Sequence, residues 1–179
     1  MQRARSPSPL KVHIVRHAPA VPRGTPGYVD AYRPLTSDGR ERMVRVAKLF
    51  AAKKQALDIL LTSPLVRAVQ TAEILAVETG FEGPVDVEEH LAPGGDPNAL
   101  IARLAVLGIK ARGIALVGHE PDLSDLAARL LGKDIIPAGM KKGAIMVVDF
   151  LGLKERPRAR FQAMLLPKKP RWVTSIDEL

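Results

Sequence analysis

The sequence predicts a single-domain three-layer α/β/α sandwich, in which a mostly parallel mixed sheet with an antiparallel edge lies between two layers of helices. Two observations predict this fold class. Short apolar runs alternate with amphipathic helical segments between residues 11 and 132, which is typical of parallel strands joined by crossover helices. Two further apolar runs, at 144–150 and 161–166, have no helical pattern between them and predict an antiparallel pair.

Composition divides the chain of 179 residues into three parts. Residues 1–10 are rich in serine, proline and arginine and predict a flexible leader, residues 11–166 form the predicted domain, and residues 167–179 form a C-terminal tail. No apolar run approaches the roughly 20 residues needed to cross a bilayer, and no signal-peptide segment is present. We therefore expect no membrane contact and a cytoplasmic location. The absence of cysteine excludes thiol catalysis and thiolate metal sites.

The first predicted strand, residues 12–17, leads into a long loop at 19–34 that is rich in proline and glycine. Thr36 is placed to cap a helix at about 37–53, whose apolar residues recur with helical spacing. Strand and helix together form the first repeat of the α/β pattern.

The second predicted strand, residues 57–62, is followed by a helix with a proline near its start. We expect Ser63 to cap this helix and Pro64 to occupy its first position, where a missing N–H does no harm. Its predicted buried face consists of Val69, Ala72 and Ala76.

A weak third strand at 85–87 precedes a helix that Asp96 caps, with Pro97 at the first position. The most apolar strand of the chain, 114–117, precedes a further amphipathic helix that ends at Gly132. These two units complete the predicted parallel part of the sheet.

Polar side chains directly follow three of the predicted strands. Arg16 and His17 follow the first, Arg67 lies in the helix after the second, and His119 follows the strand at 114–117. Carboxyl ends of parallel strands share one edge of a sheet, so these side chains are expected to converge. Each residue alone has a more ordinary explanation, such as a solvated helix arginine or a loop histidine; their joint occurrence predicts a site.

Two arginines and two histidines around one pocket favour an anionic ligand. A guanidinium matches phosphate oxygens with two parallel hydrogen bonds, and helix N-termini add backbone N–H donors. A neutral imidazole is also a competent nucleophile for a phosphoryl group. The sequence therefore predicts a phosphate ester or phosphoramidate as ligand.

The net charge of +8 and a pI near 10 also favour anionic partners. Nucleic acid is disfavoured, because aromatic residues make up only 4% of the chain and no zinc-finger or RNP-type motif is present. The basic runs Lys141–Lys142 and 168–171 are the local features that favour nucleic acid.

Four segments together resemble the histidine phosphatase superfamily: Arg16-His17, 33–39, 62–72 and 116–119, in this order. The pattern Ser-Pro-x-x-Arg-Ala-x-x-Thr-Ala within the third segment is the most specific of them. The short chain, the loop at 91–96 and the lack of a cap insertion make the sequence similar to the SixA-type phosphohistidine phosphatases within this superfamily.

The resemblance implies a phosphoglycerate mutase-like fold and assigns roles to the site. His17 is then the nucleophile that forms a phosphohistidine intermediate, Arg16 and Arg67 clamp the phosphate, and His119 binds phosphate and stabilises the transition state. No metal and no cofactor are implied. The expected substrate is phosphohistidine on a protein. The alternatives are a small-molecule phosphomonoesterase and a non-catalytic phosphate-binding regulator, and the oligomeric state is left open.

The sequence departs from the family pattern at two places. Ala18 stands where glycine is usual, which a backbone with negative φ accommodates. Many members have a glutamate acid in the loop after the third strand, where this chain has His90, with Glu89 beside it. His90 and Glu89 are therefore the candidates for an acid or auxiliary group. A phosphoramidate nitrogen needs less help from an acid than an alkoxide does, so this difference favours phosphohistidine over phosphate monoesters.

Overall fold

Seven strands form one mixed sheet in the computed structural model, which describes residues 9–179. In chain order the strands are β1 Leu10–Arg16, β2 Ile59–Thr62, β3 Val85–Val87, β4 Gly113–Gly118, β5 Ile145–Phe150, β6 Ala159–Leu166 and β7 Arg171–Val173. The helices are α1 Ser37–Ala52, α2 Val66–Thr79, α3 Pro97–Leu107 and α4 Asp122–Leu131, with 3₁₀ turns at Asp30–Tyr32, Glu89–Leu91 and Ile176–Glu178.

The strand order β3-β2-β4-β1-β5-β6-β7 puts β1 at the centre of the sheet. The strands β3, β2, β4 and β1 are parallel, whereas β5, β6 and β7 continue the sheet in antiparallel fashion. The predicted fold class, a mostly parallel α/β sandwich with an antiparallel edge, is confirmed. No helix within residues 9–179 is long and apolar enough to cross a membrane.

Alternate residues of the central strands face opposite helical layers, as the period of two in a β-strand requires. Val15 and Val117 belong to the core that contains the buried residues of α1 and α2. Ile14 and Leu116 belong to the core that contains those of α3 and α4. Because both faces are covered, β4 is apolar along its whole length, and β1 is apolar apart from Lys11, His13 and Arg16.

Most of the predicted helix ends are confirmed by their caps. The Oγ1 of Thr36 accepts a 3.0 Å hydrogen bond from the N–H of Gly39, and the Oδ1 of Asp96 accepts one of 2.8 Å from Asn98. Gly80 and Gly132 end α2 and α4 in the left-handed conformation, with φ of 67° and 73°.

The predicted start of α2 is wrong by two residues. The helix begins at Val66 with Leu65 at its N-cap position, and the Ser63 hydroxyl accepts from the N–H of Leu65 (3.3 Å) and lies 2.8 Å from the Nε2 of His119. Of the predicted buried face, Ala72 is buried, whereas Val69 and Ala76 are only half-buried. The residues of α2 that are buried are Arg67, Ala68, Thr71, Ala72 and Leu75.

Of the predicted leader, residues 1–8 lie outside the described residues, and Leu10 is the first residue of β1. The segment expected as a C-terminal tail contains β7, which pairs with β6, and Trp172 of this strand packs with Phe50 of α1 at a ring distance of 6.4 Å.

Candidate active site

The site lies where β1, β2 and β4 end side by side. The parallel register pairs Arg16 with Gly118, so His17 and His119 are the next residues on adjacent strands. The N–H of His17 donates to the carbonyl of Gly118 (3.1 Å), and the N–H of Ser63 after β2 donates to Val117 (2.9 Å). The imidazole rings of His17 and His119 are consequently 5.0 Å apart between centroids. The structure thus brings the two predicted histidines together.

The side chain of His17 is held in one tautomer. Its Nδ1 lies 2.7 Å from the carbonyl oxygen of Ala18, which can only accept, so Nδ1 carries the proton and donates. Burial lowers the pKa of His17 to about 3, although the bond to Ala18 acts in the opposite direction. The ring is therefore neutral at physiological pH, and its Nε2 keeps a free lone pair. This is the form that a histidine nucleophile requires.

Ala18 is fixed by a short chain of hydrogen bonds from α2. Its N–H donates to the Oγ1 of Thr71 (3.1 Å), whose hydroxyl donates to the carbonyl of Arg67 (2.7 Å). Within residues 9–179, Lys54 is the one non-glycine residue with positive φ, so Ala18 meets the condition under which alanine replaces glycine without strain.

His119 is buried beside Ser63. Its Nε2 lies 2.8 Å from the Ser63 hydroxyl, whereas its Nδ1 has no hydrogen-bond partner among the described residues. Burial and the positive charge of Arg67 lower the pKa of His119 to about 4, so this ring is also neutral. The buried Nδ1 has no polar contact within residues 9–179, so Nε2, beside the Ser63 hydroxyl, is the ring nitrogen of His119 with a polar neighbour.

Arg67 is 3% exposed and is bound to the loop between β1 and α1. Its Nη1 donates to the backbone carbonyl of Asp30 (2.8 Å) and its Nη2 to the Asp30 carboxylate (3.3 Å). Arg33 and Arg23 bind the same carboxylate, at 2.9–3.0 Å and 3.0 Å. Burial raises the pKa of Asp30, but the hydrogen bonds from Arg33 and Arg23 outweigh this effect and lower it to about 2. Asp30 is therefore ionised throughout the physiological pH range.

Arg16 lies on the other side of the pair of histidines. Its Nη1 donates to the backbone carbonyl of Met140, and the Glu120 carboxylate contributes a favourable charge. The ammonium of Lys142 belongs to the same cationic region, because partial burial and the charges of Arg16, Arg33 and other site arginines lower its pKa. The site thus combines several cations with two acidic neighbours.

Three of these residues, Asp30, Arg33 and Lys142, were not predicted as site residues. Arg33 belongs to the 33–39 segment of the family resemblance, which was the available signal, but no role followed from it. Asp30 and Lys142 lie in loops, and only the folded arrangement shows that they adjoin the site.

The acid candidates lie on the 3₁₀ turn at Glu89–Leu91. The side chains of His90 and Glu89 are exposed and make no hydrogen bond to a site residue within the described chain. Nearby Glu88 is buried and forms an ion pair with Arg103 at 2.7 Å, and Asp96 caps α3. No carboxylate of this segment is hydrogen-bonded to His17 or His119 within residues 9–179.

Comparison with known proteins agrees with this arrangement. The family model of the histidine phosphatase superfamily (branch 1) matches residues 12–92. An uncharacterized protein of Picosynechococcus sp. is 35% identical over 178 residues, which cover 92% of this chain and 99% of the relative. The chain belongs to the histidine phosphatase superfamily and is a phosphatase of this class.

Two further matches define the subgroup. The phosphohistidine phosphatase SixA of Escherichia coli (strain K12) is 28% identical over 122 residues, which cover 68% of this chain and 74% of SixA. The structure of the protein histidine phosphatase SixA complexed with tungstate superposes with a TM-score of 0.77 at 27% identity, over 88% of this chain and 97% of the other. Within the superfamily the chain is SixA-like.

Proposed function

We propose that this phosphatase hydrolyses phosphohistidine on protein substrates through a phosphohistidine intermediate at His17. The observation that carries the proposal is the state of His17: a buried, neutral ring whose Nδ1 is tied to the Ala18 carbonyl and whose Nε2 faces a site rich in arginine. Such a ring attacks phosphorus directly and needs no base to deprotonate it.

The proposed reaction has two in-line steps. In the first, the Nε2 of His17 forms a bond to phosphorus while the P–N bond of the substrate breaks, and the substrate imidazole leaves as a neutral ring. In the second, water attacks the phosphoryl group on His17, which releases inorganic phosphate and restores the neutral histidine. Arg16 and Arg67 hold the phosphoryl oxygens during both steps, and His119, whose ring centroid lies 5.0 Å from that of His17, binds the phosphoryl group beside them.

The acidic neighbours of the site support this choice of substrate. Asp30 is ionised, with a pKa of about 2, and has no proton to give to a leaving group. Glu88 is held by Arg103, and Glu89 is exposed. An alkoxide needs a proton from an acid, whereas phosphohistidine that is protonated on its other ring nitrogen leaves as neutral imidazole. The charges near His17 therefore favour P–N over P–O cleavage.

The test is to trap and map the phosphoenzyme. The protein is mixed with a histidine-phosphorylated protein, quenched in alkali within milliseconds to seconds, digested and analysed by mass spectrometry. We expect an alkali-stable, acid-labile phosphoryl group on His17, formed equally in the presence of EDTA. His17→Ala should remove it, and the matched change at an exposed histidine, His90→Ala, should retain it.

Three results would contradict the proposal. Turnover by the His17→Ala variant would exclude this nucleophile. A panel of sugar and other metabolite phosphates hydrolysed with higher kcat/KM than phosphohistidine proteins would favour a small-molecule phosphatase instead. Tight binding of phosphate without any turnover would indicate a phosphate-binding regulator.

A further inference from the structure

A groove of about 870 Å³ adjoins the site and is not explained by the chemistry at His17. It lies between the segment that precedes β5 and the segment that joins β6 to β7. Its apolar lining includes Ile136, Met140, Met164 and Leu166. This volume is within the range of roughly 300–1,000 Å³ that accommodates drug-sized ligands, so it is far larger than a phosphoryl group requires.

The rim of the groove is strongly basic. Four lysines contribute to it, Lys141, Lys142, Lys168 and Lys169, and none of them has an ion-pair partner within the described residues. No aspartate or glutamate side chain lines the groove in the part of the chain that the structure describes. A cationic occupant would be repelled, and a neutral one would desolvate these ammonium groups without compensation, so the groove favours acidic groups.

The groove is continuous with the site. Arg16 lines the groove and directly precedes His17, and Lys142 lies on the groove rim within electrostatic range of Arg16 and Arg67. A molecule bound in the groove therefore extends toward the position of the phosphoryl group. The groove is therefore placed to contact the part of the substrate that carries the phosphoryl group.

The lining favours a protein over a nucleic acid. It contains no phenylalanine, tyrosine or tryptophan among the described residues, whereas single-stranded nucleic acids are bound by stacking their bases on aromatic rings. The exposed Pro137 and Ala138 and the half-buried Leu166 provide an apolar surface that suits aliphatic side chains, whereas Met140 and Met164 are buried in the core. An occupant that places acidic side chains against the rim and aliphatic side chains against the floor is an amphipathic acidic segment.

We infer that this groove binds an acidic, amphipathic segment of the phosphorylated protein substrate, next to its phosphohistidine. The inference rests on the proposed function for the reaction, but the binding itself is measurable without turnover. The groove would give the enzyme its preference for a protein over free phosphohistidine.

Binding is tested first, with a fluorescent 12-residue peptide of alternating glutamate and leucine. The peptide should bind the wild-type protein, and the double variant Lys168→Glu/Lys169→Glu should weaken Kd at least tenfold. The matched control Lys53→Glu/Lys54→Glu makes the same change in net charge at exposed residues outside the groove, and should change Kd less than twofold. An equal increase of Kd in both variants would show that the peptide responds only to net charge, and would overturn the inference. Tighter binding of an RNA 12-mer or of vesicles containing phosphatidylglycerol would overturn it as well.

Turnover is tested second, with the same peptide carrying one phosphohistidine. We expect its kcat/KM to exceed that of free phosphohistidine, and the ratio of the two values to fall at least tenfold in Lys168→Glu/Lys169→Glu only. An unchanged ratio would overturn the docking role. If neither substrate is hydrolysed, the proposed function fails, while the binding measurement still decides whether the groove takes acidic segments.

Discussion

The buried histidines should make the stability of this protein sensitive to mild acid. His13, His17 and His119 are exposed by 0%, 7% and 4%, and burial lowers their pKa values to about 4, 3 and 4. In the unfolded chain each ring takes up a proton below about pH 6.5. Because the folded-state pKa lies below the unfolded one, the stabilisation is complete above pH 6.5 and is lost as the pH falls toward 4.

The size of this loss at pH 5 depends almost entirely on the unfolded state. Folded-state pKa values at or below about 4 leave the native rings mainly neutral at pH 5. The distance from 6.5 to 5.0, at about 1.4 kcal/mol per pH unit, gives about 2 kcal/mol for each ring. The three rings together therefore lower the free energy of unfolding by about 5 to 6 kcal/mol between pH 7 and pH 5. This loss is comparable with the whole stability of many domains.

Urea unfolding followed by circular dichroism at pH 7 and pH 5, at constant ionic strength, measures this loss. We expect the free energy of unfolding to fall by about 5 to 6 kcal/mol in the wild type, and by about 2 kcal/mol less in His17→Ala. The matched variant at the exposed histidine, His90→Ala, should lose as much as the wild type. Asp30 titrates near pH 2, outside this window. A wild-type loss below about 2 kcal/mol, or an equal reduction in both variants, would refute the reasoning.

Three further changes test other parts of the structure. Arg67→Lys removes the guanidinium fork, and we expect kcat/KM for phosphohistidine to fall about 100-fold in steady-state assays. Ser63→Ala removes the partner of His119, and should lower kcat about tenfold, with an unchanged circular dichroism spectrum. Gly113→Ala places a Cβ 1.8 Å from the carbonyl oxygen of Ala56, and should cost about 2 kcal/mol or more in urea unfolding; a smaller cost would mean that the backbone relaxes easily there.

The fold was predictable because its signals are local. Apolar runs, helical spacing and caps such as Thr36 and Asp96 each depend on a few neighbouring residues, and the structure retains them. The start of α2 shows where this fails. Ser63 has the local context of a cap, but its hydroxyl pairs with His119, which lies 56 residues further along the chain. A contact at that distance in sequence cannot be predicted from the residues next to Ser63.

The candidate site likewise contains residues whose positions the sequence predicts and residues whose positions it does not predict. The strand-end rule placed His17 and His119 together because parallel pairing determines which residues share an edge. No such rule determines the shape of the loop between β1 and α1. Its shape depends on the bridge between Ala20 and Leu35 and on the bond from Arg33 to the carbonyl of Val21, so the position of Asp30 follows only from the folded loop.

The contact between Asp30 and Arg67 explains how a buried arginine is kept ready for an anion. Arg67 is almost fully buried, and a buried charge without a partner is costly. Asp30 supplies that partner through both its backbone carbonyl and its carboxylate, so the guanidinium is already oriented before a phosphoryl group arrives. Despite the opposing effect of burial, the hydrogen bonds from Arg33 and Arg23, together with the charge of Arg67, keep Asp30 ionised by lowering its pKa to about 2. A carboxylate that orients Arg67 therefore has no proton for a leaving group, which supports the proposed action on P–N bonds.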